Sequence, residues 1–256
     1  MSAIGPIVLY VGPSNLDGAP IVALASLESS NRKTGRLIQT WIMRADMLPT
    51  EASHGAHDDS VCGACPRRRS IGGDCYVLIH NAPQSAWKAW ERAGSPGENW
   101  TEERAIVALT NEARDYGLRL GSYGDPAAVP SHVWGDLIAA IAPKMIVGYT
   151  HQWRTTPDAW FRNNLMASCD SVQDADDARA LGWRFFVALA PDVQAPDRSF
   201  NCTADAKPGA SCATCGACNG SQGRPSRASV WIREHGAMSE AKHSRARRAA
   251  ALQVVA

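Results

Sequence analysis

Hydrophobic runs along the chain come in two periods. Residues 20–43, PIVALASLESSNRKTGRLIQTWIM, set two β-rich runs on either side of the turn-forming Asn31-Arg32-Lys33-Thr34-Gly35 and predict a hairpin. Further on the period alternates. YVLIHN (76–81) reads as a strand, 83–93 and 101–116 as helices, and LRLGSYG (118–124) as a strand. Helix 131–142 then precedes strand MIVGYTH (145–151), helix 156–164 precedes strand NLMASCD (164–170), and helix 173–181 precedes strand WRFFVAL (183–189). Strands that alternate with helices of about ten residues imply parallel βαβ units. At least four consecutive units favour a full or partial parallel β/α barrel, entered through an N-terminal hairpin. The expected organisation is one α/β barrel-like domain over 1–236, carrying polar cysteine-rich loops at 54–75 and 201–224. A basic C-terminal helix over 237–256 follows, with Lys242, Arg245, Arg247 and Arg248.

Charge and composition narrow the setting. The 26 basic and 25 acidic side chains nearly cancel, which gives no global bias toward nucleic acid or membrane. The opening MSAIGPIVLYVGPSNLDG lacks the charged start of an export signal and is broken by Pro6, Gly12 and Pro13. No apolar run reaches the ~18 residues of a membrane span. A cytoplasmic protein is expected, and in a reducing cytosol closely spaced cysteines are more often metal ligands or redox groups than disulfides.

Seven of the eight cysteines fall into two groups. Cys212, Cys215 and Cys218 stand three apart, and Cys202 lies ten residues upstream. A short loop of that spacing wraps three corners of a [4Fe–4S] cluster and leaves the fourth to a distant thiolate. A structural zinc ion, which takes four thiolates equally well, is the alternative. The first group, Cys62, Cys65 and Cys75, has no evident fourth member. Either three thiolates hold a cluster with one open iron, or His54, His57 or His80 completes a Cys3His zinc site, or one cluster is shared between the two loops.

These segments resemble a cysteine-rich family of bacteriophage and prophage proteins that is distantly similar to radical S-adenosylmethionine barrels. The likeness is carried by NRKTGRLIQTWI (31–42), VCGACPRR with GGDCYV (61–77), GSYGDPAAVP (121–130), VGYTHQW (147–153), MASCDS with ALGWRFFV (166–187), and SCATCGACNG with REHG. The CxxxCxxC spacing usual in the radical enzymes is absent; here a CxxC is followed by a third cysteine ten residues on. The resemblance implies an iron–sulfur enzyme with one or two clusters, S-adenosylmethionine as possible cofactor, and a nucleotide, nucleic acid or related phage metabolite as substrate, in host cytoplasm if phage-encoded.

Residues at the predicted strand ends supply further candidates, because such ends converge on one mouth in α/β proteins. Asp125, His151 and Asp170 are the candidate catalytic groups, and Tyr123 and Ser168 the candidate cofactor contacts. Each has a plainer reading. His151 serves as base, ligand or satisfied structural histidine, and Asp170 contacts a cofactor or caps the helix beginning near Asp174. Cys169 reads as an apolar filler. Arg67, Arg68 and Arg69 read as a phosphate receptor or as solvated surface. A non-catalytic rival remains: a metal-stabilised nucleic-acid-binding protein that contacts phosphates through its basic tail.

Overall fold

The computed structural model describes residues 5–27, 31–224 and 226–234. Three strands, β1 (Ile7–Pro13), β2 (Pro20–Ser26) and β3 (Ile38–Arg44), form an antiparallel ribbon, and the β2–β3 pair is the hairpin expected around residues 31–35. Parallel strands continue from it: β4 (Leu118–Tyr123), β5 (Ile146–Thr150), β6 (Met166–Cys169) and β7 (Phe185–Leu189). Short β8 (Ser199–Asn201) and then β9 (Ser229–Arg233) complete a nine-stranded sheet of order β1-β2-β3-β4-β5-β6-β7-β9-β8. The protein is thus a mixed α/β fold around a mostly parallel sheet, and no described pairing joins β1 to β8. β1 escapes the hydrophobic reading because Pro6, Gly12 and Pro13 interrupt it, and edge strands tolerate such breaks. Its outer edge is covered where Asn99 exchanges hydrogen bonds with the Val8 backbone at 2.7 and 3.1 Å, which blunts pairing with another chain.

Most of the longer helices sort onto one face. Two short ones, α1 (Pro49–His54) and α2 (Asp59–Cys62), lead into the first cysteine loop. After α3 (Ala82–Arg92) come α4 (Glu103–Asp115), α5 (Ser131–Ile141), α6 (Ala159–Asn164) and α7 (Val172–Ala180), close to the expected ranges. Neighbouring parallel strands joined by right-handed crossovers keep their helices on a single side of the sheet. Accordingly Leu109, Trp134, Phe161 and Ala175 from α4 to α7 share one core with Leu118, Ala167, Phe185 and Val187. The opposite face lacks that cover. Under β1–β3 it is filled by Trp87 and Trp90 of α3 with Ile79, and under β5–β9 by the second cysteine loop.

Two expectations are corrected or fall outside the described residues. Residues 76–81 are not a strand: Tyr76 is 67 % and Leu78 53 % exposed, and the segment is a loop that drops only Ile79 into the core before α3. Apolar alternation there reflects one anchoring side chain, without a neighbouring strand to pair. The C-terminal helix over 237–256 lies outside the described residues. No helix among those described is long and apolar enough to cross a membrane.

A buried arginine ties the sheet to the second loop. Arg184, only 2 % exposed, donates to the carbonyls of Ala228 (2.6 and 3.1 Å), Asn219 (3.0 Å) and Gly220 (3.2 Å). Gly220 is required at its position, since a Cβ would approach the Asn163 backbone to 2.3 Å. Replacing Arg184 by Met leaves three inward carbonyls without donors, and an unsatisfied buried group costs about 1–3 kcal/mol. Denaturant titration of Arg184→Met is expected to show a loss of roughly 3 kcal/mol or more; an unchanged midpoint would mean that the loop holds itself.

Candidate metal centres flanking a cavity

The first loop is pinned from below by polar side chains at strand ends. Asp125, immediately after β4, is buried; its backbone N–H donates to the Val61 carbonyl at 2.6 Å. Its carboxylate accepts from the backbone N–H groups of Ala127 (2.9 Å) and His151 (2.7 Å) and from Gln152 Nε2 (3.1 Å). Gln152 in turn donates to the Cys62 carbonyl (3.1 Å) and accepts from the Ala64 N–H (3.2 Å), so its amide brackets the CxxC turn. Gly63 sits at φ 52°, where a Cβ would strike that amide. The loop then folds back on itself, with Cys75 N–H bonded to Arg67 O and Gly73 N–H to Arg68 O, both at 2.8 Å. The three arginines face inward. Arg68 pairs with Asp58 (3.2 Å), Arg69 donates to the carbonyls of Cys75 and Val77, and Arg67 contacts three carboxylates, Asp74 (3.2 Å), Asp170 (2.5 Å) and Glu234 (2.8 Å). They fasten the loop and are not the solvated surface that was one reading of the run.

Beside this loop lies an imidazole–carboxylate pair. His151 Nε2 stands 3.2 Å from Asp170 Oδ2, and Cys65 lines the same cavity. Burial pulls the imidazole toward its neutral form, but the Asp170 and Cys65 partners outweigh burial and push its pKa up to about 10. Burial likewise works against the Asp170 carboxylate, yet His151 and Arg67 hold it below the ordinary range. The Cys62 thiol is pushed well above its usual value, first by burial and then by Cys65 and Cys75 nearby, and burial raises Cys75 too. Thiols whose ionised forms are costly and mutually repulsive are what a bound cation relieves. His54, His57 and His80 are all exposed, whereas His151 lines the cavity beside Cys65 and Cys75.

The second loop builds a recess. Cys202 leads into α8 (Thr203–Ala206), and α9 (Cys212–Cys215) ends at Gly216 in the left-handed conformation. Its backbone is docked onto the hairpin turn, Cys212 N–H to Lys33 O (2.8 Å) and Ala213 N–H to Thr34 O (3.0 Å), and onto β5 through Gly148 N–H to Cys218 O (3.1 Å). Cys202, Cys212, Cys215 and Cys218 line one recess of about 10 Å³, flanked by Val147 and Val230. Burial pushes the Cys218 thiol up to about 12 against a hydrogen bond from Tyr149. None of the eight cysteines is in a disulfide. Among the described residues no three His, Cys, Asp or Glu side chains are already grouped around one ion position.

Between the two loops lies a cavity of about 340 Å³. Cys65 and Cys75 stand on one side and Cys202 and Cys212 on another, while Arg119, Tyr149, Ser168 and Phe186 rise from the helix-free face of the sheet. His151 and Asp170 line it as expected from their strand-end positions, and so does Ser168. Asp125 and Tyr123 do not: the first is consumed by three donors, and the second is buried with its hydroxyl unpartnered. Asp170 is not the helix cap either, since Ser171 Oγ accepts from Asp174 N–H at 3.0 Å. Cys169 is buried in the helix-side core, as its apolar setting suggested. Sequence reasoning set Gln152 among the strand-end residues without giving it a role, and it passed over Arg119. An arginine within LRLGSYG signals only strand alternation, and a glutamine has no spacing signature at all.

No protein-family model matches the chain, no curated protein matches it, and no solved structure does. The likeness to phage proteins therefore rests on the quoted segments alone.

The close fold-back of the first loop generates a test. A Cβ at position 73 would come within 2.3 Å of the Arg67 backbone, so Gly73→Ala is expected to spring the Arg67–Cys75 turn. Alkylation of Cys65 and Cys75 in metal-stripped protein, followed by peptide mass spectrometry, should quicken several-fold while Cys212 and Cys218 keep their wild-type rates. Equal rates at all four would show that the turn does not depend on this contact.

Proposed function

We propose that the chain is an iron–sulfur protein, an enzyme similar to the radical S-adenosylmethionine proteins on a partial β/α barrel, working on a small molecule held between two cysteine centres. The observation that carries this reading is that both cysteine groups wall the same cavity, Cys65 and Cys75 on one side and Cys202 and Cys212 on the other. A purely structural metal has no need to face a ligand-sized space. In this reading Cys202, Cys212, Cys215 and Cys218 hold a cluster with a complete thiolate set. Cys62, Cys65 and Cys75 hold another whose fourth position falls to His151 or to an added ligand such as S-adenosylmethionine. A bound cluster supplies one-electron chemistry. The protein's own part is to exclude solvent and orient the occupant; where an added ligand takes the fourth position, His151 stays paired with Asp170.

One observation favours a second reading. His151 lines the cavity beside Cys65 and Cys75; with Cys62 these residues would make a Cys3His donor set, which suits zinc, and a zinc-stabilised protein without catalysis would follow. Nucleic acid as partner rests on Lys242, Arg245, Arg247 and Arg248, outside the described residues, and the arginine run 67–69 is turned inward.

Anaerobic purification followed by iron, zinc and sulfide analysis decides between them. Brown protein with iron and acid-labile sulfide is expected, and colourless protein with stoichiometric zinc would overturn the iron–sulfur reading. In iron-loaded, reduced protein, S-adenosylmethionine should perturb the paramagnetic resonance of one cluster only, and Cys75→Ala should abolish that response. If His151 occupies the position, the response appears only in His151→Ala. Replacing Cys212 and Cys215 together should cost metal and solubility alike, because a four-thiolate site contributes its binding energy to folding.

A further inference from the structure

Most charged groups that face the cavity are held by short contacts within the protein. Arg67 is shared by Asp74, Asp170 and Glu234, and Lys33 reaches Asp205 at 2.8 Å. Arg233 lies over the Trp231 ring, 4.9 Å from its centroid, and donates to the carbonyls of Ala190 (2.8 Å) and Val193 (2.6 Å). Every carboxylate in the lining touches a cation: Asp74, Asp170 and Glu234 share Arg67, and Asp205 has Lys33. Arg119 is different. It stands on the helix-free face of β4, and its single hydrogen bond is a long one, 3.3 Å, from Nη2 to the hydroxyl of Tyr76, a residue 67 % exposed. No carboxylate pairs with it among the described residues. A guanidinium taken partly out of water without a counter-anion is costly, and its planar fork matches a carboxylate or phosphate in a two-point contact.

The surroundings set the rest of the ligand. Next to Arg119 the sheet presents Tyr149 and Phe186, whose rings are 4.7 Å apart and tilted, and beyond them Ala188 and Ile232. That surface is largely apolar and presents two aromatic rings. At about 340 Å³ the space falls in the range of small-molecule sites.

We infer that the cavity binds a small organic anion, with Arg119 receiving its carboxylate or phosphate and the Tyr149–Phe186 wall receiving a flat apolar body. The inference rests on the reading of this cavity as the working site, but not on which metal the loops hold. Tyr76 occupies the guanidinium until the anion replaces it. The rival account makes Arg119 a counter-charge for the Cys212 thiolate across the cavity floor, with no ligand involved.

Phenyl phosphate and benzoate serve as probes, with benzyl alcohol as the neutral control, each titrated calorimetrically into the metal-loaded protein. Either or both anions are expected to bind and the alcohol not. Arg119→Met should weaken anion binding roughly 10- to 100-fold, the loss of one charge-assisted contact, with metal and sulfide content unchanged, and Arg119→Lys should keep part of the affinity. Should Arg119→Met fail to fold, wild-type protein answers the question: phenylglyoxal labelling of Arg119, read by peptide mass spectrometry, should slow when the binding anion is present. No binding of either anion overturns the inference. So does undiminished binding by Arg119→Met, labelling that the anion does not slow, or loss of metal from the second loop with anion binding intact. A colourless, zinc-loaded protein that binds phenyl phosphate through Arg119 would sink the iron–sulfur reading and leave this one standing.

Discussion

Right-handed crossovers between neighbouring strands put α4 to α7 on one side of the sheet, and the part of the other side that α3 leaves bare has to be covered by something other than helices. Burial demands it, because Met166, Val147 and Val230 point that way. In this chain the cover is two cysteine loops, each too short and polar to make a core of its own. Their placement follows from the strand ends. Residues immediately after β4, β5 and β6, namely Asp125, His151 with Gln152, and Asp170, reach up to the first loop. The second loop lies along β5 and against the hairpin turn. Because neither loop covers the whole face, a gap remains between them, and that gap is the cavity.

Polar contacts do within the loops what apolar packing does beneath the helices. Asp125 accepts three hydrogen bonds and Arg67 contacts three carboxylates. Each joins segments far apart in sequence, so the loops gain a fixed shape only once the sheet has formed. Buried charge networks of this kind are costly when incomplete. Here the arrangement concentrates Cys62, Cys65 and Cys75 near one another without a bond between them.

The parts of this architecture legible in the sequence are those that repeat. Hydrophobic period gave away the hairpin, the helices α3 to α7 and the strands β4 to β7, because each has a face against the core. Short or edge elements were not legible: β1 is interrupted by glycine and proline, and β8 is three residues long. Residues 76–81 misled, since an alternating run carries no information about whether a partner strand exists. At the site, spacing identified the cysteines, and strand-end logic found His151, Asp170 and Ser168 at the cavity. It also pointed to Asp125, whose position is as expected but whose lone pairs are taken by backbone and amide donors. Which acid at a strand end is spent on holding a loop depends on contacts across tens of residues. No local pattern records that.

The hairpin turn around residues 31–35 shows what such long-range docking means for change in the chain. Exposed turns are ordinarily where proteins absorb extra residues at little cost. Here the carbonyls of Lys33 and Thr34 receive the N–H groups of Cys212 and Ala213, and a Cβ on Gly35 would crowd Ser211 and Ala213. The turn is therefore a wall of the cavity and a docking point for a cysteine loop that begins well over a hundred residues later in the chain. Length and composition at the tip are tied to the thiol loop, and an epitope or fluorescent tag inserted there would disturb chemistry on the far side of the sequence.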